Sequence, residues 1–441
     1  MRKSIEDQKA FYRQQRSPGE IRCWQLNEFN RQWKRTLKEV PYFRALAEAK
    51  NLPDRFSDWQ QFRDLVPLMD RRIVQERQTD LVSSAKPPDQ WRSTGGSTAE
   101  PLQIPIWKSE TSIAASDLWY ARSWFGVTPA DKLFLVWGHS HLLGSGLKGR
   151  WNGFKRRAQD LLLGYRRWSA YELGDQRLQE AGDELLRFRP DFVLGYAVAM
   201  DRLARANQHR ADELRRLRLK VVVATAESFP RSDSARQIAE LFQCPVAMEY
   251  GAVETGPIAH QQPSGAYHVL WRHLHLEGRE SPQQTGAYEI FVTSLYPRAL
   301  PLIRYRIGDL ISSDPNAEQF DQQFEMVIGR CNDFITVSDG SVVHSEAFTH
   351  ALKDISAVSA FQVVQSSAND VSIEYVANRS LNHEELSTIH HRLMIINPRL
   401  GTVSIEQRPS LPQTVAGKTR KVLRHSAAGT ESAQPATGKC D

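Results

Sequence analysis

Apolar positions change their period along this chain. Between Ile5 and Lys50, residues such as Phe29, Trp33, Leu37, Val40 and Phe43 recur every three or four positions, the spacing of one helix face, and Pro41 interrupts the pattern or starts a new helix. The middle of the chain reads differently. Short apolar runs at 133–137, 192–194, 221–224, 246–248 and 289–293 predict strands, with amphipathic helices at 177–188, 197–206 and 233–242 between several of them. Such alternation predicts an α/β fold whose sheets are buried between helices. From Ala287 the pattern turns to strands and turns. Beyond Gly329, strands near 334–337, 360–365 and 371–376 are separated by helices near 345–354 and 384–396, which reads as a small α+β domain. No internal repeat is present. The expectation is a large N-terminal domain of sheets flanked by helices over 1–329 and a small C-terminal domain over 330–425. A Ser-, Ala-, Thr- and Gly-rich tail over 426–441 reads as disordered.

Composition narrows the class. With 441 residues and 41% apolar content the chain can bury a sizeable core. Net charge is +6, a mild excess that does not by itself indicate nucleic-acid binding. The two basic stretches, 148–167 and 205–220, have helical spacing with interleaved apolar residues and read as solvated helix faces, with a carrier-protein or coenzyme A phosphate contact as the other reading. Cys23, Cys244, Cys331 and Cys440 are scattered and form no C-x-x-C, which argues against a zinc site built from paired cysteines and fits a reducing cytosol. The segment from Met1 to Asp7 lacks the apolar core of a secretory signal, and no apolar run approaches the roughly 20 residues needed to span a bilayer. A soluble cytoplasmic protein is expected.

Five short motifs carry candidate chemistry. In Arg92-Ser93-Thr94-Gly95-Gly96-Ser97-Thr98-Ala99-Glu100-Pro101, glycines allow backbone N–H groups to approach an anion and hydroxyls add donors. Alone it is as consistent with a polar turn, and it lacks the Gly-Lys-Ser/Thr of a Walker loop. Glu249-Tyr250-Gly251-Ala252-Val253-Glu254-Thr255-Gly256-Pro257 follows a strand, where open α/β sheets bind ligands, and a carboxylate such as Glu254 can hold Mg²⁺ together with phosphate oxygens. Leu302 to Leu310 contains Gly308-Asp309, and a carboxylate in this position can accept both hydroxyls of a ribose. Gly329-Arg330-Cys331-Asn332 lies at the predicted domain boundary and reads as a hinge or an ordinary loop. Gly417-Lys418 near the C-terminus places a cation on a glycine turn, or is simply part of a basic tail.

Taken in order, the five motifs resemble the core motifs of the adenylate-forming superfamily of acyl-CoA synthetases, adenylation domains and luciferases. Within it the chain is most similar to the phenylacetate–CoA ligase branch, particularly its CapK-like and coenzyme F390 synthetase-like members. Phe29-Asn30-Arg31-Gln32-Trp33 with Val40-Pro41-Tyr42-Phe43-Arg44, and Leu300 to Arg306, extend the similarity across nearly all of residues 20–425. The resemblance implies a ligase that activates a carboxylic acid with ATP and Mg²⁺ as an acyl-adenylate, releasing pyrophosphate and passing the acyl group to coenzyme A or another acceptor. It implies that Thr94, Gly95, Gly96, Ser97 and Thr98 cover the β- and γ-phosphates, that Ala226, Glu227 and Ser228 contact the adenine, and that Tyr250, beside Gly251, stacks on it. Glu254 would hold Mg²⁺ and Asp309 the ribose, with Arg330 beside it. Asn332 falls at the hinge about which a mobile small domain rotates. Lys418 is the implied catalytic lysine, reaching the carboxylate and α-phosphate in the adenylating orientation. Trp137, His139 and His141 match the segment lining the acyl pocket, although the two histidines also read as ordinary strand-end residues.

Some positions depart from the family pattern. Ala99 stands where glycine is usual, Val253 replaces a hydroxyl residue for which Thr255 is the nearby substitute, and Asn332 is uncharged at the hinge. The 324–328 stretch before Gly329 has no cysteine, so the zinc site of some relatives is not expected, and His268 reads as structural or substrate-facing. Two alternatives stay open: nucleotidyl transfer to a cofactor, as in F390 synthetase, and a degenerate nucleotide-binding protein. The sequence does not name the acid or the oligomeric state.

Overall fold

The computed structural model describes residues 2–14, 16–93, 102–137, 159–160, 162–170, 174–330, 334–339, 341–352, 355, 357–367, 370–412 and 421–424. They separate into two compact units, Met1–Cys331 and Asn332–Asp441.

The first unit begins with three helices, α1 (Arg2–Arg13), α2 (Pro18–Glu39) and α3 (Pro41–Lys50). Ser17 and Glu20 form a reciprocal capping box at the start of α2 and Pro18 opens its first turn, so two otherwise orphaned N–H groups are satisfied. Pro41 opens α3 in the same way. The buried stripe of α2, including Phe29 and Trp33, packs with Phe43, Phe56 and Phe62 into one apolar cluster. Three shorter helices follow, α4 (Trp59–Leu65), α5 (Arg71–Glu76) and α6 (Gln78–Leu81), then a hairpin of β1 (Gln90–Ser93) with β2 (Gln103–Ile106), and then α7 (Lys108–Arg122).

An eight-stranded sheet forms the centre of the unit. Its parallel part joins β3 (Leu133–Trp137), β4 (Tyr165–Ser169), β5 (Phe192–Tyr196), β6 (Val222–Thr225) and β7 (Val246–Ala252) in the spatial order β7-β6-β5-β3-β4. Phe192, Val193, Val222 and Val223 are inaccessible to solvent, which is why these strands read as continuous apolar runs: helices cover both faces. Burying each such side chain contributes about 1.5–3 kcal/mol. The sheet continues antiparallel through β8 (Gly256–Gln261), β9 (Tyr267–Val269) and, at its edge, β13 (Gln323–Phe324). A second, antiparallel sheet runs β10 (Leu274–Ser281), β11 (Gln284–Ser294), β12 (Tyr305–Ile311), β14 (Val327–Arg330). Strand β11 is twice the length expected for the 289–293 run, because its pairing with β10 extends through Glu280 and Tyr288, where side chains are polar or half-buried and the apolar signal fades.

In the second unit, β17 (Val358–Ser367) and β18 (Asp370–Ala377) pair antiparallel, and β20 (Val422–Arg424) and β19 (Ser404–Gln407) flank them parallel. A two-stranded pair, β15 (Phe334–Thr336) with β16 (Val342–His344), precedes this sheet. The helices Glu346–Ala351 and His383–Ile396 pack on a shared core with Phe348, Val363, Ile373 and Leu393. The first is shorter than the 345–354 expectation. The two outer strands carried no sequence signal, being only three and four residues long. The fold is thus the expected α/β arrangement of sheets flanked by helices, followed by a unit with a sheet of its own.

Candidate active site

Strand β7 delivers Glu249 and Tyr250 to the C-terminal edge of the parallel strands, the edge at which open α/β sheets place ligands. The chain then turns back into β8. Gly251 is required here by close approach: a Cβ on it would lie 2.5 Å from the Gly256 carbonyl oxygen. Gly256 has φ +74°, a conformation glycine adopts without strain. The tight turn leaves Glu254 at its tip. Thr255 is 3% exposed, and its hydroxyl donates to the Gly256 carbonyl while accepting from the Ala252 N–H. It is therefore held inside the turn and does not replace the hydroxyl missing at Val253.

Successive strand residues point to opposite faces, so Glu249 and Tyr250 have different roles. Glu249 makes a two-pronged ion pair with Arg122 of α7, at 2.7 and 3.1 Å. Burial would raise its carboxyl, but the charges of Arg122 and His260 outweigh it and hold the group at about 2. The Tyr250 hydroxyl donates to Asp309 Oδ2 at 2.7 Å. Burial first, and then the adjacent Asp309 carboxylate, push the phenol well above its usual value, so it stays a donor. Phe324 meets the Tyr250 ring edge-on at 6.3 Å.

Asp309 is positioned by backbone geometry. Its partner strand slips register between Glu289 and Phe291, and Gly308 adopts φ +82° within the resulting bulge. On the other side, β12 and β14 pair so that Asp309 stands opposite Arg330, and Arg330 Nε lies 2.8 Å from Asp309 Oδ1. Tyr250, Asp309 and Arg330, named from three separate motifs, form one hydrogen-bonded row.

Glu254 lies near two residues that the sequence reading missed. Arg71 is 3.9 Å from its carboxylate, and the Tyr305 hydroxyl donates to it at 3.4 Å. Both approaches depend on a bridge in which Met69 N–H donates to the Arg304 carbonyl and Arg306 N–H to the Met69 carbonyl. The Arg330 charge favours the ionised form of both Tyr250 and Tyr305, against the larger opposing effect of burial, which ties the two parts of the site together electrostatically. Among the described residues, no group of three or more His, Cys, Asp or Glu is arranged to hold a metal ion. A single partly buried carboxylate suits Mg²⁺ whose other ligands are phosphate oxygens and water.

Ala226, Glu227 and Ser228 follow β6 directly. Ala226 has φ +73°, an unusual conformation for a residue with a Cβ and one that concentrates at functional sites. Glu227 accepts from the Val198 N–H in the first turn of the neighbouring helix, and Ser228 is exposed. Trp137 ends β3 and packs against Tyr196 at the end of β5, ring centroids 4.7 Å apart. His268 lies among Tyr12 and Trp124, and burial pushes its imidazole down to about 4. Thr94, Gly95, Gly96, Ser97, Thr98, Ala99, His139, His141, Asn332 and Lys418 lie outside the described residues.

The family description "CapK C-terminal domain" matches residues 335–425. Protein CapK of Staphylococcus aureus is 24% identical over 344 residues, covering 75% of this chain and 73% of that protein. Among solved structures, a 2-hydroxyisobutyryl-CoA ligase in its postadenylation state with an acyl-AMP ligand superposes with TM-score 0.68 at 16% identity, covering 91% of this chain and 89% of the ligase. The amide bond synthetase McbA of Marinactinospora thermotolerans superposes with TM-score 0.53 at 20% identity, covering 75% of this chain and 67% of that one. The chain has the fold of the adenylate-forming ligases and carries a CapK C-terminal domain over residues 335–425.

Proposed function

We propose that the protein activates a carboxylic acid by transferring the adenylyl group of ATP to it. The row Tyr250–Asp309–Arg330 supports this reading most directly, since it offers an aromatic face for a base and a carboxylate for ribose hydroxyls at the sheet edge where Glu254 also sits. The substrate carboxylate oxygen attacks the α-phosphorus, the bond to the β-phosphate oxygen breaks, and pyrophosphate leaves with that oxygen. The chain aligns two anions and offsets their charge. In this reading adenine lies between Tyr250 and the 226–228 stretch, Asp309 binds the ribose, and Arg330 orients Asp309. Glu254 holds Mg²⁺, which when bound screens the phosphate charge. Thr94, Gly95, Gly96, Ser97 and Thr98 cover the β- and γ-phosphates. Trp137, His139 and His141 line the acyl pocket, and Lys418 places its cation on the reacting carboxylate and α-phosphate. The small unit turns about Asn332 between half-reactions, and coenzyme A is the acceptor in the second. The names of the solved neighbours, which include acid–CoA ligases and an amide bond synthetase, support acyl-adenylate chemistry with an acceptor that varies. The unpaired Cys23 and Cys244 support a cytoplasmic setting, and no described helix is long and apolar enough to cross a membrane.

The test is ATP–pyrophosphate exchange across a panel of aliphatic, aryl and hydroxylated acids. Acid-dependent exchange in the native chain, lost in Asp309→Ala, is the expected result. ATP binding without exchange for any acid would replace this reading with that of a nucleotide-binding protein without catalysis.

A further inference from the structure

Helix α7 carries two buried acids, Glu110 and Asp117, seven residues apart and therefore on one helix face. Each holds a buried cation or imidazole that reaches the same turn. Arg298 Nε donates to Glu110 at 3.1 Å, and its Nη2 donates to the Glu254 carbonyl. His273 Nδ1 is 2.5 Å from Asp117 Oδ2, and its Nε2 is 2.8 Å from the Pro257 carbonyl. A carbonyl only accepts, so Nε2 is the donor to Pro257. The four side chains are nearly inaccessible to solvent, from 0 to 4% exposed. Glu110 also accepts from the Trp107 and Ala299 N–H groups, which fastens the start of α7 and the 298–299 segment to one carboxylate. The hairpin turn bearing Glu254 is therefore gripped at both ends, at the carbonyls of residues 254 and 257, from a single helix. That helix begins two residues after β2.

We propose that Asp117 with His273, and Glu110 with Arg298, are positioning residues that hold the Glu254 turn in place at the end of β7. The proposal rests on the reading of Glu254 as the metal-binding carboxylate. None of the four side chains touches the reacting atoms. They fix the backbone from which Glu254 projects, and a turn held by two carbonyl hydrogen bonds opens more rarely than one held by its own strand ends.

Two variants of the full chain separate this role from general stability. Asp117→Leu with His273→Phe replaces both partners by apolar groups of similar shape and strands no buried charge. Arg298→Met leaves Glu110 with its two backbone donors and keeps the test open should the first variant fail to fold. Hydrogen exchange of the peptide spanning 252–258 is expected to quicken about tenfold in each, the loss of one buried hydrogen bond. Affinity for α,β-methylene-ATP with Mn²⁺ is expected to fall by a similar factor, while affinity for AMP, which has no β- or γ-phosphate, stays within about twofold. Asp117→Asn, whose amide can still donate to Nδ1, retains both properties. Unchanged exchange in a folded variant overturns the brace. Parallel loss of AMP and Mn²⁺-nucleotide affinity overturns its specificity for Glu254. Glu254→Gln serves as the control: if it leaves Mn²⁺-nucleotide affinity intact, the metal reading of Glu254 fails and the proposal falls with it, whereas a tenfold loss there with silent brace variants overturns the proposal alone.

Discussion

Asp309 on β12 and Arg330 on β14 face each other across two paired strands, with the guanidinium on one carboxylate oxygen and the Tyr250 hydroxyl on the other. The residue is 7% exposed, so these two neighbours rather than water orient its carboxylate. Asp309→Asn keeps the shape and removes the charge. Affinity for AMP, measured calorimetrically, should fall about tenfold, the cost of weakening one charge-assisted hydrogen bond. Unchanged affinity would remove Asp309 from the nucleotide site.

Gly251 tests the turn itself. Because an added Cβ would meet the Gly256 carbonyl at 2.5 Å, Gly251→Ala must push the two strand ends apart. A cost of about 1–3 kcal/mol in unfolding free energy is expected, together with weaker Mg²⁺-nucleotide binding. Gly174→Ala is the comparison, since that glycine has φ −71° and nothing lies within 4 Å of an added Cβ. It should cost less and leave binding alone.

The acid limb of stability has named sources. Glu249 is held at about 2 in the folded chain against an ordinary 4.5, and burial, reinforced by the charges of Arg63, Arg22 and Arg304, lowers His275 to about 3 from 6.5. Both folded values lie below the unfolded ones, so the folded state binds protons more weakly. The stability present above the ordinary values is lost as pH falls, from about 6.5 toward 3 for His275 and from about 4.5 toward 2 for Glu249. Equilibrium unfolding from pH 8 to 3 should show a decline beginning below about 6.5. In the His268→Phe/His275→Phe double variant, which also removes the other imidazole that burial lowers, the decline should begin nearer 4.5. An unshifted onset would assign it to other groups.

Lys418 is expected to act in one half-reaction only. Lys418→Ala should slow adenylation by roughly 10²- to 10³-fold, the usual cost of removing one well-placed charge. It should leave thioester formation from a supplied acyl-adenylate largely intact. Equal loss in both steps would make Lys418 a general binding residue.

Legibility from sequence followed burial. Strands β3, β5 and β6 are covered on both faces, so their apolar runs announced them. Strand β10 reads His-Leu-Glu-Gly-Arg-Glu through its middle and gave no such signal: Glu277 is buried there because Arg304, 27 positions later, pairs with it. A buried charge whose partner lies on another strand leaves no periodic trace. The site divides the same way. Tyr250, Asp309 and Arg330 stood in recognisable motifs and come together in space. Arg71 and Tyr305 reach Glu254 only because Met69 bridges Arg304 and Arg306, a contact between segments more than 200 residues apart that no local pattern records. Thr255 illustrates the opposite error. Its hydroxyl looked available in the sequence, but the turn consumes it.

The central claim is that an acyl-adenylate forms, and trapping it with hydroxylamine tests that most directly. With an acid that supports pyrophosphate exchange, the native chain should yield a hydroxamate that requires ATP, Mg²⁺ and that acid, and Lys418→Ala should yield almost none. Consumption of ATP with a stable adenylated product and no hydroxamate would contradict the account and point to nucleotidyl transfer instead.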